Sequence, residues 1–213
     1  MRKVALLVAP WLLLASTTAV FRRLSAHLGP KRGYLGGFLF YWIFWCMLFP
    51  MWVLGARRLP ALFRSRVEPS RPPSHSDLLL LALPPAVGYS LAFPRALARA
   101  DEKIVLASAL QALINASAEE LLWRGTYLAV FPNSPALGYL YPTVGFAVWH
   151  YAPQVVFPSR YPGGRTSFVA TAGLFGLIWG RVASRNGSVG WSVVSHVLLD
   201  FSGLGARIYF EDT

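Results

Sequence analysis

The sequence predicts an all-α fold: a polytopic transmembrane helical bundle of about seven spans (six to eight), with a polar intramembrane cavity. Three observations predict it. Charged residues make up only 14% of the 213, where a soluble domain carries about 25%. Hydrophobic residues reach 55% and the mean hydropathy is +0.46. The apolar residues also come in runs close to the length of about 20 residues that a bilayer-crossing helix needs. Disorder is excluded by the same composition, since it requires low hydrophobicity and high net charge. The single cysteine, Cys46, excludes an internal disulfide framework and a multi-cysteine metal site.

The first span is expected at 4–21, after the basic pair Arg2 and Lys3. Small residues from Ala15 to Ala19 give it some likeness to a signal peptide. The Arg22-Arg23 pair that follows favours a retained anchor. The second span, 34–54, is dense in aromatics: Phe38, Phe40, Tyr41, Trp42, Phe44, Trp45 and Phe49. Lipid-facing and interfacial packing is the expected role for these rings. Residues 55–76 form an Arg/Pro-rich polar connector (Arg57, Arg58, Arg64, Arg66, Arg71, Pro69, Pro72, Pro73), with room for a short interfacial helix.

A third span is expected at 78–93, kinked or tilted by Pro84 and Pro85. After a charged loop at 94–103, a fourth helix runs from 104 to 131 and is ended by Pro132-Asn133-Ser134-Pro135. The fifth, sixth and seventh spans are expected at 136–156, 167–182 and 188–208, with turns at 159–165 and 184–187. Gly176 and Gly180 make a GxxxG pair in the sixth, with Ala172 one turn earlier, a pattern that lets helices approach closely. The whole reads as one membrane domain, with residues 1–103 as N-terminal helices plus connector and 104–213 as the helices that follow.

The formal charge of +11 is carried mostly in loops, where Lys and Arg anchor helix ends against anionic headgroups. A nucleic-acid surface would need a basic face on a soluble domain, and no such domain is visible. The expected surroundings are therefore a lipid bilayer and no nucleic acid. Basic residues nearly balance between alternate loops, so orientation is left open.

Six ionisable residues break the pattern. Glu119, Glu120, Arg124, His150, His196 and Asp200 fall inside hydrophobic spans. A charge at the bilayer centre costs at least about 2.5–3.5 kcal/mol, so such groups are expected to face one another in a functional cluster. Glu120 and Arg124 are four apart and share a helix face, as do Phe146 with His150 and His196 with Asp200. Glu119 is turned about 100° from Glu120, so the two carboxylates are expected to look in different directions. One would pair with Arg124 while the other stayed free. A structural clamp is the expected role of the Glu120–Arg124 pair.

These residues form a recognisable set. Glu119 to Arg124 reads EExxxR, Phe146 to His150 reads FxxxH, and His196 to Asp200 reads HxxxD. Gly173-Leu174 to Gly180 and Asn186-Gly187-Ser188-Val189 lie between the last two. In this order they resemble the CAAX protease and bacteriocin-processing (CPBP, Abi) family of intramembrane endopeptidases, related to the eukaryotic prenyl-protein endoproteases. The resemblance covers about 104–205 and implies the roles that follow. Glu119 and His150 activate water. Glu120 is held by Arg124. His196 stabilises the oxyanion, assisted from position 200, where the family has Asn or Asp. A peptide or protein substrate in or at the membrane is implied as partner, and the cell membrane of a prokaryote as location.

Asp200 is the feature to watch, because an ionised aspartate cannot donate to an oxyanion as an asparagine amide can. It would have to be protonated, orient His196 from behind, or belong to a metal site. Glu119, His150 and His196 are the ligand types of a divalent metal such as zinc. No HExxH spacing demands one, and the resemblance favours a glutamate mechanism with no cofactor. Two other function classes stay open: a non-catalytic membrane scaffold or bacteriocin-immunity-type protein that kept the motif, and a small transporter.

Overall fold

A computed structural model describes residues 1–64 and 73–210 and is helical throughout, with no strand among the described residues. Helix α1 (Arg2–Leu28) turns at Gly29 (φ 81°) into α2, Pro30–Leu54. Pro30 opens α2, where its fixed φ suits the first helical turn and its missing N–H has no partner to lose. The two pack antiparallel at close range, since a Cβ on Gly33 would strike the Ser25 backbone and one on Gly37 the Phe21 ring. Between Tyr41 and Leu48, α2 widens into a π-helix.

Helix α3 (His75–Leu91) is capped by Ser74, whose Oγ accepts from Asp77 N at 3.2 Å. Helix α4 (Glu102–Val130) is capped by Asp101, whose Oδ1 accepts from Ile104 N at 2.9 Å. It too passes through a π-helical stretch, Leu121–Thr126, directly after the two glutamates. Such stretches are rare and often occur at functional sites. Helix α5 (Tyr141–Trp149) is entered by a π turn, Ala136–Leu140, and stops at His150 ahead of Pro153. Helix α6 (Gly164–Asn186) ends at Gly187, whose left-handed φ of 61° turns the chain into α7, Gly190–Ser202.

Among the described residues, four helices are long and apolar enough to cross a membrane: α1, α2, α4 and α6. The expected spans at 4–21, 34–54, 104–131 and 167–182 fall on them. The other three expected spans are helices of 17, 9 and 13 residues (α3, α5 and α7). At 1.5 Å per residue these are about 26, 14 and 20 Å long, short of a hydrocarbon core of about 30 Å. Proline and glycine punctuation cuts them: His150 to Pro153 after α5, and Ser202-Gly203 after α7.

The main core is aromatic and draws on residues as far apart as Leu6, Tyr41, Trp123, Phe146 and Trp179. The expectation for the aromatics of α2 is corrected here. Phe44 does face outward at 47% exposure, but Phe38, Tyr41, Trp42 and Trp45 are buried. Trp42 and Trp45 each place their indole N–H on an internal acceptor, Asn115 Oδ1 and Ser16 Oγ. A donor so used belongs inside the bundle.

Asp77, between the connector and the third expected span, is buried in the first turn of α3 and pairs with Arg185 Nη1 of α6 at 3.0 Å. In place of an interfacial helix, the described part of the connector holds two short 3-10 turns, Ala56–Arg58 and Pro60–Phe63. It straps onto the start of α7 through Val189 N donating to Leu62 O at 2.9 Å. Arg66, Glu68, Pro69, Arg71 and Pro72 lie outside the described residues.

Candidate active site

Five of the six intramembrane ionisable residues meet in one cluster. Helix α4 supplies Glu119, Glu120 and Arg124, with the two glutamates fully buried and Arg124 2% exposed. Arg124 Nη1 donates to Glu120 Oε1 at 2.9 Å, as the four-residue spacing requires. The guanidinium lies over the Phe146 ring, 4.1 Å from its centroid, and faces Trp179 at 5.5 Å. Gly176 of α6 gives it room, since a Cβ there would come within 2.8 Å of Arg124 Nη2. Gly180, one turn on, admits the Tyr139 ring in the same way. The GxxxG pair therefore works as a close-approach surface, as expected, and one of its glycines seats a site residue.

Helix α7 supplies His196 and Asp200. The His196 ring is stacked on Trp179 (4.0 Å, 17°). Trp179 is itself held, its Nε1 donating to Ser195 Oγ at 2.9 Å and its carbonyl accepting from Ser192 Oγ at 3.0 Å. The two edges of His196 meet different acids. Nδ1 is 3.0 Å from Glu120 Oε1, and Nε2 is 3.5 Å from both Glu119 Oε2 and Asp200 Oδ1. The expectation that the glutamates look in different directions is corrected by this arrangement. The imidazole lies across the helix face, so side chains turned by one residue reach its opposite nitrogens. Glu119 is also not free of partners.

His150 stands at the rim. Its Nδ1 lies 2.8 Å from Phe146 O. A carbonyl only accepts, so Nδ1 carries the hydrogen and Nε2 keeps a lone pair. The ring is fixed by edge contacts with Phe146 (4.6 Å) and Trp149 (5.1 Å). Among the described contacts no hydrogen bond or ion pair joins His150 to Glu119. Asp200, 26% exposed at its side chain, is the most open of the acids. The cluster is otherwise tightly packed.

Sequence reasoning missed three residues that complete the site. Asn115, one turn before Glu119, donates from Nδ2 to Glu119 Oε2 at 3.3 Å and to Asp200 Oδ2 at 2.9 Å. Trp42 fixes it from α2, and next to Trp42 the Tyr41 hydroxyl accepts from Trp123 Nε1 at 2.8 Å. Asn115 sits four residues before Glu119, so helix spacing alone could have flagged it. Tyr41 and Trp42 carried no such signal. Glu119 Oε1, Glu120 Oε2 and Arg124 Nη2 are buried and make no hydrogen bond within the described residues. Unsatisfied buried polar atoms are rare in structural clusters and common where chemistry happens.

Among the described residues no group of three His, Cys, Asp or Glu side chains is placed to hold a metal ion.

Comparison with known proteins agrees with the motifs. Residues 101–202 match a family model described as type II CAAX prenyl endopeptidase Rce1-like. No curated protein and no solved structure matches the chain. The matched segment, just under half of the chain, contains all three motifs and is similar to the CAAX protease family. The match supports a CAAX-type intramembrane endopeptidase in general, and with the apolar helices an integral membrane protein.

Proposed function

We propose that this protein hydrolyses a peptide bond in a membrane-associated or lipidated protein or peptide, using water activated by Glu119 and His150. The observation that carries the reading is the convergence of Glu119, Glu120, Arg124, His196 and Asp200 inside an apolar bundle, with the His150 lone pair at its rim. Water between the two groups hydrogen-bonds to His150 Nε2 and gives its proton to Glu119 Oε1, the oxygen that makes no bond within the chain. The water oxygen bonds to the scissile carbonyl carbon. His196, as an imidazolium, donates from Nε2 to the resulting oxyanion. Asp200, 3.5 Å from that same nitrogen, orients the ring. When the C–N bond breaks, Glu119 returns the proton to the leaving amine. Glu120 and Arg124 hold His196 by its other nitrogen. Residues 104–213 serve as the catalytic core, and the helices of 1–103 buttress it. No step calls for a resident cofactor, and the cell membrane of a prokaryote is the proposed location.

The test is cleavage of a farnesylated C-terminal CaaX peptide, carrying a fluorophore and quencher, by protein in proteoliposomes. Glu119→Ala and His150→Ala should each lose at least about a hundredfold in rate, the scale of general acid–base catalysis. Cleavage of the peptide by both variants at the wild-type rate would overturn the mechanism. One observation favours a second reading: Asp200, when ionised, cannot itself donate to an oxyanion. A non-catalytic scaffold would bind its partner equally well after Glu119→Ala, and the wild type would cleave nothing.

A further inference from the structure

The clearest unassigned arrangement at the site is a single amide caught between an indole and two acids. An indole N–H can only donate, and Trp42 Nε1 donates to Asn115 Oδ1 at 2.8 Å. That contact decides which end of the amide is which: the Nδ2 end must face the acids. Both of its hydrogens are then used, one on Glu119 Oε2 at 3.3 Å and one on Asp200 Oδ2 at 2.9 Å. Three helices, α2, α4 and α7, thus meet at one side chain.

We infer that Asn115 is a positioning residue that assigns each carboxylate of the site its working oxygen. By holding Glu119 Oε2, it leaves Oε1, which makes no other bond within the chain, as the oxygen presented to water. By holding Asp200 Oδ2, it turns Oδ1 toward His196 Nε2 at 3.5 Å. The amide also separates two buried acids that share the same imidazole nitrogen, supplying a donor where they would otherwise face each other. Trp42 is part of the device because without its N–H the amide is free to flip and offer the acids its oxygen. The inference rests on the endopeptidase reading above.

Two variants separate the two arms of this bridge. Asn115→Asp places a carboxylate against both acids. In the double variant Asn115→Asp with Asp200→Asn, the amide at 200 donates to the carboxylate at 115. The 115–200 bond is thereby restored with its polarity reversed, and the net charge returns to the wild-type value. The Glu119 arm stays broken, because the carboxylate at 115 has no hydrogen to give. The experiment measures kcat and KM for the farnesylated CaaX peptide in proteoliposomes, beside thermal unfolding in detergent.

We expect Asn115→Asp to lower kcat at least a hundredfold and the unfolding temperature as well. The double variant should recover the unfolding temperature but less than a tenth of the lost kcat, with KM within threefold of wild type throughout. Trp42→Phe should lower kcat about tenfold at unchanged KM, through flipped amides. A purely structural Asn115 would bring the double variant, together with its stability, up to the kcat of Asp200→Asn alone, the reference for losing the carboxylate at 200, and that result, or wild-type kcat in Asn115→Asp, overturns the inference. Wild-type protein that leaves the peptide uncut, as Glu119→Ala does, overturns the endopeptidase reading instead.

Discussion

Gly176→Ala is the most economical way to ask whether Arg124 is as confined as its surroundings imply. The added Cβ would lie 2.8 Å from Arg124 Nη2, 3.1 Å from the Phe146 ring and 3.2 Å from Thr143 Cγ2. Ordinary contact begins near 3.4 Å, so the guanidinium must retreat by about half an ångström. Its retreat is blocked on the far side by Glu120, bonded at 2.9 Å, and by the Phe146 face at 4.1 Å. Overpacking of this kind costs about 1–3 kcal/mol. Replacing Gly by Ala inside a helix returns about 1 kcal/mol. The net expectation is a destabilisation on the order of 1 kcal/mol. Because Glu120 Oε1 also touches His196 Nδ1, the displacement passes to the imidazole, and a peptide-cleavage rate at least about tenfold lower should result. Gly173→Ala is the internal control. Its Cβ would meet only Ala147 Cβ, at 3.2 Å, so that variant should keep its activity and match or exceed wild type in thermal stability. Unfolding in detergent and peptide cleavage in proteoliposomes provide the two readouts. A Gly176→Ala protein that is both more stable and fully active would show that Arg124 moves freely, and the account of the clamp would fail.

Three further outcomes follow from the same geometry. Arg124→Ala leaves Glu120 buried with only His196 beside it and should cost about 3 kcal/mol, the low end for a broken buried pair; Arg124→Lys should recover little, because it lacks the planar fork stacked on Phe146. Urea or thermal unfolding of both variants checks this. Tyr41→Phe removes the acceptor of the buried Trp123 N–H and should destabilise by about 1–3 kcal/mol, while Trp45→Phe, which frees only a partly buried serine, should cost less. Asp77→Asn breaks the pair with Arg185, whose side chain is 48% exposed, so the loss should stay near or below about 1 kcal/mol and shrink in high salt.

The site was legible in the sequence to the extent that it consists of charge. A bilayer makes every buried ionisable group conspicuous, so scarcity alone pointed to Glu119, Glu120, Arg124, His196 and Asp200, and four-residue spacings paired them. The same filter could not register Asn115. An amide carries no charge and occurs in helices without remark; its four-residue spacing to Glu119 was its one signal, and the bond to Asp200 of α7 at 2.9 Å lay beyond that signal's reach. Trp42 and Tyr41 failed for a related reason. Aromatic residues are as common on lipid-facing surfaces as in cores, so composition assigned them outward, whereas each is held inside by one hydrogen bond to a residue more than seventy positions away.

Spans were legible by a similar rule and failed where that rule fails. Hydropathy reports that a segment avoids water and leaves open whether it meets lipid or protein. Helices α1, α2, α4 and α6 satisfy it by length. Helix α7 buries its polar side (Ser192, Ser195 and His196) and turns Trp191, Val194 and Leu198 outward, so its hydropathy reports the outer face and not its length. α5 stops where His150 must sit at the rim with its Nδ1 on Phe146 O. α7 stops just past Asp200, the most open of the acids. A full-length span would have carried both residues on regular helix toward the far surface. The shortness of these two helices goes with the placement of the site: His150 lies at the end of α5, and Asp200 in the last turn of α7.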